Sequence, residues 1–316
     1  MILPRGLSRL FILSRGTMEN SKEGISMDKM KKVLSLALAI CLICGLMASA
    51  SASTFIDAHG NEIELDESLE GYANFGLTGA DNAARKAETN LGDLWTDALR
   101  WFVVSGTVNE YWEEDDVTAG NTQIDVDEDH VVALWNGGNL RADIPEGKFG
   151  AEQLAEVLPY PNKVAVVYMT GAQLAEALEA ASQGLPYTEE TADACASFMQ
   201  VSGLKYTVDT SIAYDRGEAY GDKGIWFKAA SLGRVSIEEV NGKPFAAEDM
   251  YAVITSNANF NGMDSSYIFP AAAEANEKST ITTAVVRDVI WLYIAGELNS
   301  VIGEPYTETQ GRITVK

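Results

Sequence analysis

Two arginines and a pair of glycines are the residues best suited to chemistry in this chain. Asn136-Gly-Gly-Asn-Leu-Arg141 follows a short apolar run and sets two glycines before an arginine. Glycine lets a backbone come close to a ligand and present its N–H groups, and a guanidinium can clamp an anion through two parallel hydrogen bonds. That chemistry is recognition of an anion, not cleavage of a bond. Taken alone the segment says little, because glycine turns beside an arginine are common. Groups for cleavage are sparse. The only histidines are His59 and His130, whereas a di-metal hydrolase needs several His, Asp and Asn ligands in one cluster. Neither a His-x-His nor a Gly-Asn-His-Glu run is present, and there is no Gly-x-Ser-x-Gly elbow or glycine-rich phosphate loop. Cys195 sits in Ala-Cys-Ala with no histidine near it in sequence. Asp125, Asp127 and Asp129 alternate as in a calcium loop but lack its glycine turn and closing glutamate. They read, with Glu113–Asp116, as a solvated connecting loop. The chain is expected to carry no catalytic residue, no metal and no cofactor of its own.

The elements that must position these residues alternate between helical and extended patterns. Leu91, Leu94, Trp95, Ala98, Leu99 and Phe102 recur at helical spacing from Asn90 to about Trp112. Val131–Trp135 is a short buried strand and Lys163–Met169 another. Thr170 opens a helix, with Gln173 placed for a capping box. Met199–Val208 and Arg234–Val240 read as extended. Asn241-Gly242 is a hairpin turn, since both residues tolerate positive φ, and Met250–Thr255 is expected as its return strand. Thr282–Leu298 reads as a second long helix and Arg312–Val315 as a final strand. This order predicts a mixed α/β domain, mixed sheets layered with helices, rather than a purely parallel sheet.

Bulk properties narrow the partners. With 47 % hydrophobic and 22 % charged residues the composition is that of a folded globule. Residues 1–52 read as a leader: basic Met27-Asp-Lys-Met-Lys-Lys32, apolar Val33–Met47, then the small-x-small patterns Ala48-Ser-Ala50 and Ala50-Ser-Ala52. This is the order of a cleaved secretory signal, too short for the ~20 residues of a membrane span. Met27 is the expected initiator, 27–52 the signal and 53–316 the exported domain. Cys41 and Cys44 leave with the leader, so Cys195 has no internal disulfide partner. The formal net charge is −23, and loss of the basic leader makes it more negative. Such a surface repels nucleic-acid polymers and anionic membranes. A small anion held by local arginines is still compatible with it, since screening acts within ~8 Å.

Several segments together resemble the C-terminal, substrate-recognising domain of the 5′-nucleotidase and UDP-sugar hydrolase family. Arg85-Lys-Ala-Glu-Thr-Asn-Leu-Gly-Asp-Leu-Trp-Thr-Asp-Ala98, Asn136-Gly-Gly-Asn-Leu-Arg141, Val157-Leu-Pro-Tyr-Pro-Asn162, Phe198-Met-Gln-Val-Ser-Gly-Leu204, Asn257–Asp264 and Gly311-Arg-Ile313 follow one another in the family's order. The similarity runs from about Arg85 to the C-terminus. It implies that Arg85 and Arg141 hold phosphate beside Asn136 and the Gly138–Asn139 backbone. It further implies that Tyr160 stacks on a base, Asn162 bonds the base edge and Asp264 binds ribose hydroxyls. The family's second stacking aromatic falls on Ala258 here; Phe260 and Tyr267 are the candidates to replace it. The run before the ribose carboxylate is altered to Asn261-Gly-Met-Asp264. The family's metal-bearing phosphatase domain would lie before Arg85, where only about thirty residues follow the leader. The resemblance therefore implies nucleotide or nucleoside binding in nucleotide catabolism, with the isolated chain inactive. Hydrolysis by an assembly with a separate metallophosphatase chain is one alternative; an interaction module that keeps the fold for homodimerisation is another.

Overall fold

The computed structural model describes residues 52–66 and 70–316. The leader, apart from Ala52, lies outside the described residues. At the centre are five strands, β1 (Val131–Asn136), β2 (Lys163–Thr170), β3 (Met199–Ser202), β4 (Met250–Ser256) and β5 (Thr280–Val285). Their spatial order is β5-β2-β4-β1-β3. Only β1 and β4 run parallel; every other neighbouring pair is antiparallel. The sheet is mixed, as the order of patterns predicts.

Period-two alternation explains why β1 is apolar throughout. Val131, Ala133 and Trp135 enter one core, while Val132 and Leu134 enter another on the opposite face. On the first face lies α1 (Asn90–Val104), whose Leu91, Leu94, Trp95, Ala98, Leu99 and Phe102 are fully buried. Thr89 caps it by accepting from the Gly92 N–H. The chain leaves α1 at Gly106, φ 80°, and only a short 3₁₀ turn, Thr107–Glu110, continues toward Trp112. On the second face lies α2 (Gly171–Ala181), opened by the Thr170–Gln173 capping box. The second core is closed by a four-stranded sheet of Leu204–Val208, Val235–Val240, Lys243–Pro244 and Ile313–Val315. Gly203, φ 82°, is the corner at which the chain passes from β3 into that sheet.

Three expectations are corrected. Asn241-Gly242 does turn a hairpin, but its return strand is Lys243–Pro244. Pro244 has no N–H to extend the ladder, and Met250–Ser256 instead pairs with β1 and β2. Thr282–Val285 is strand, not helix: the β-branched run Thr280–Thr283 pairs along β2, and the helix begins at Val286. The acidic segment contains a short helix, Glu114–Ala119, with three acids in its first turn, where they suit the helix dipole. Farther along the acidic region, Asp125 and Asp129 are paired with Lys278 and Lys243.

Candidate functional site

One end of the central sheet collects most of the residues singled out above. β1 and β4 are parallel and in register, Ala133 opposite Ile254, so Asn136 and Asn257 emerge side by side. Ser256 lies opposite Val164, and Asn136 opposite Met199, so β2 and β3 begin where β1 and β4 end. In open α/β sheets ligands sit in the crevice beyond the carboxyl ends of parallel strands, and the one parallel pair of this sheet ends at such a crevice. Here it is a cavity of about 590 Å³. Arg85, Asn136, Gly138, Asn139, Arg141, Tyr160, Asn162 and Asp264 all line it. Residues spread from 85 to 264 in the chain are thus brought together.

The fixing of each side chain can be followed locally. Gly137–Asn139 forms a 3₁₀ turn after β1, with the Asn139 Nδ2 donating to Asn136 Oδ1 at 3.0 Å. The two glycines are needed for a reason the sequence does not show. A Cβ on Gly137 would lie 1.8 Å from the Ala84 carbonyl oxygen, and one on Gly138 would lie 2.7 Å from Ala196. They admit neighbouring protein segments, which are the ones that carry Arg85 and Asp193 to the cavity. Arg85 sits at the end of a 3₁₀ turn, Ala83–Arg85, and donates through Nη1 to the Ala192 carbonyl at 2.9 Å. Arg141 donates through Nε to the Gly138 carbonyl at 3.3 Å, and its guanidinium lies 4.9 Å from the centre of the Tyr160 ring. Each guanidinium keeps further N–H groups for an anion. Tyr160 is 44 % exposed. The Asn162 carbonyl accepts from Val286 N–H, and Asn257 Oδ1 accepts from Lys163 N–H, which ties this corner to the sheet.

Asp264 has φ 55°, a left-handed backbone uncommon for a residue with a Cβ. Burial pushes its carboxyl above the usual range, opposed by the positive charges of Lys223, Arg85 and Arg141. The two candidates for the second aromatic, Phe260 and Tyr267, lie elsewhere. Tyr267 is buried, donates to Glu176 Oε1 and accepts from Ala229 N–H; Phe260 is half-buried against the second core. Neither lines the cavity, whereas Trp226, Lys223, Asp193 and Met263 do. Sequence reasoning missed Trp226, Lys223 and Asp193. The signal available was the turn Gly221-Asp-Lys-Gly224 between two short strands. Away from the cavity, Asp57-Ala-His59 is a turn: the Asp57 carboxylate accepts from the backbone N–H groups of His59 and Asn61 and from the Tyr72 hydroxyl. Among the described residues no three His, Cys, Asp or Glu side chains are grouped to hold a metal, and no helix is long and apolar enough to cross a membrane.

The mixed-sheet domain thus sets guanidinium groups, amides, a carboxylate and aromatic rings around one crevice. The chain belongs to the 5′-nucleotidase C-terminal domain family, whose family model matches residues 69–274. It is similar to the trifunctional nucleotide phosphoesterase protein YfkN of Bacillus subtilis, at 29 % identity over 225 residues, 70 % of this chain and 13 % of that protein. It is also 29 % identical over 221 residues to the cell wall protein Lmo0130 of Listeria monocytogenes, covering 67 % of this chain and 21 % of that one. In fold it resembles a 5′-nucleotidase precursor from Thermus thermophilus, TM-score 0.55 at 24 % identity, over 91 % of this chain and 43 % of the other. The chain thus spans a small part of these curated relatives and less than half of that structure.

Proposed function

We propose that this chain binds a nucleoside or nucleotide in the cavity at the ends of β1 and β4, outside the cytoplasm, as the recognition half of a nucleotide-degrading system. The observation that carries the reading is the convergence of Arg85, Arg141, Tyr160, Asn162 and Asp264 on one cavity. Two guanidinium groups offer planar donors to a phosphate, an exposed ring offers a π face to a base, and a carboxylate offers two acceptors to a ribose diol. Membership of the family and the phosphoesterase name of one relative support the ligand class. The cell-wall name of another, with the basic, apolar and small-residue order of the leader, supports export.

The test is a titration of the purified chain with AMP, followed by melting temperature and by calorimetry. AMP is expected to raise the melting temperature. Arg141→Ala should abolish that rise and weaken binding about 10- to 100-fold, since a charge-assisted hydrogen bond contributes roughly 1.5–3 kcal/mol. No response to any mononucleotide or UDP-sugar would remove the reading.

A second reading adds hydrolysis, performed when this site is joined to a metal-bearing phosphatase domain or chain. It is supported by the phosphoesterase name of a relative of which this chain covers 13 %, because grip without an activated water binds but does not cleave. Phosphate release by this chain alone, with added divalent metal, would overturn the division of labour.

A further inference from the structure

The hairpin that brings Trp226 to the cavity also brings a charge. Its strands, Arg216–Tyr220 and Trp226–Ala229, pair antiparallel, and the connecting turn has Gly221 at φ 71° and Gly224 at φ 68°. Lys223 stands at that tip and lines the cavity. It differs from every other lysine among the described residues. Lys148, Lys163, Lys205, Lys228, Lys243, Lys278 and Lys316 are ion-paired, and Lys86 donates to the Asp81 carbonyl. The Lys223 ammonium has no hydrogen bond or ion pair with the described residues. In a chain of formal net charge −23, a cation left unpaired at the mouth of a cavity calls for an anion.

The frame behind it is fixed. Tyr220 donates to the Gly262 carbonyl at 2.7 Å, and a Cβ at Gly262 would lie 2.3 Å from that hydroxyl. This accounts for the glycine in the altered run before Asp264: the hairpin is pinned to the loop that carries the carboxylate. Phe227 N–H donates to Gln183 Oε1 and Ala229 N–H to the Tyr267 hydroxyl. The Lys223 head takes no part in these bonds. Of the surrounding cations it acts most strongly on Asp264.

We infer that Lys223 is a third anion-binding group of this site, acting with Arg85 and Arg141 on a phosphate of the bound nucleotide. The inference rests on the nucleotide reading above. Lysine is a compact point charge on a flexible stem, suited to following a phosphate rather than fixing its orientation. In the free protein its field falls on Asp264; with a phosphate present it turns to a stronger anion.

The experiment titrates wild type, Lys223→Met and Lys223→Glu with AMP and with adenosine, at low and at high salt. Lys223→Met is expected to weaken AMP binding about tenfold at low salt and to leave adenosine within about twofold. Lys223→Glu should weaken AMP binding further, and both effects should shrink at high salt. Lys223 is exposed at a turn, so unchanged melting temperatures of the free variants check that the fold is intact. Equal AMP affinity in wild type and Lys223→Met overturns the inference. So does an equal loss for AMP and adenosine, which would make Lys223 a positioning residue for Asp264. If the wild type binds neither ligand, this inference falls together with the nucleotide reading. If Arg141→Ala loses AMP and Lys223→Met does not, it falls alone.

Discussion

Replacing Gly137 with alanine tests how the cavity is assembled. The added methyl would lie 1.8 Å from the Ala84 carbonyl oxygen and 2.5 Å from the Ala84 carbonyl carbon. Ordinary contact begins near 3.4 Å, so the Ala83–Arg85 turn has to retreat by about 1.6 Å, or β1 must distort. The obstacle is backbone, and trimming a side chain cannot relieve it. Retreat breaks the 2.9 Å bond that Gln200 Nε2 donates to the same carbonyl, a loss of about 1 kcal/mol. Overpacking adds roughly 1–3 kcal/mol. Against this, alanine restricts the unfolded chain and returns about 0.4–1 kcal/mol. The net cost is about 1–3.5 kcal/mol, equivalent to a fall of roughly 3–12 °C in melting temperature for a domain of this size. Thermal unfolding followed by circular dichroism measures it, with Gly76→Ala as control, because a Cβ there meets nothing within 4 Å. Equal melting temperatures for the two variants would refute the packing account of Gly137.

Two further outcomes follow from the site and its supports. Ala258 lines the cavity, and Ala258→Phe should restore a second stacking ring worth ~1–3 kcal/mol, tightening adenosine and AMP alike by about 5- to 100-fold; unchanged calorimetric affinity for both would count against a base beside residue 258. Burial raises the Asp93 carboxyl to about 8 despite Arg312, whose Nη1 lies 3.7 Å from its Oδ1. Between pH 4 and 8 the folded protein keeps a proton the unfolded chain releases, so this group's contribution to stability falls as pH rises through that window. Asp93→Asn should gain on wild type in denaturant melts at pH 8 relative to pH 5; a constant difference between them would contradict that proton count.

Much of the cavity can be read from the chain because its residues sit in short motifs at element ends, where side-chain type is dictated by local chemistry. The α1 stripe and the Thr170–Gln173 box were legible because helical period and capping are local patterns. Pairing partners are not local. Asn241-Gly242 announces a turn, yet nothing nearby says that Met250–Ser256 will join β1 and β2 rather than close the hairpin. Val285, Val286, Val289 and Ile290 keep helical spacing, which masks the preceding residues as strand although their β-branching favours it. The Trp226 hairpin escaped notice because its strands are short and mostly half-exposed, so neither face shows a clean apolar alternation. The packing role of Gly137 and Gly138 is visible only once Ala84 and Ala196 are placed beside them.

Gln200 has a consequence for anyone wishing to move this site elsewhere. Its amide, fully enclosed, accepts from Thr89 N–H and donates to the carbonyls of Ala84 and Ala87, while Gly92 leaves room for it, since a Cβ there would sit 2.2 Å from Gln200 Oε1. The arm bearing Arg85 has little regular structure of its own and borrows its shape from a residue more than a hundred positions later. A graft of the arginine motif into another scaffold without that glutamine would carry the right letters and an arm free to wander.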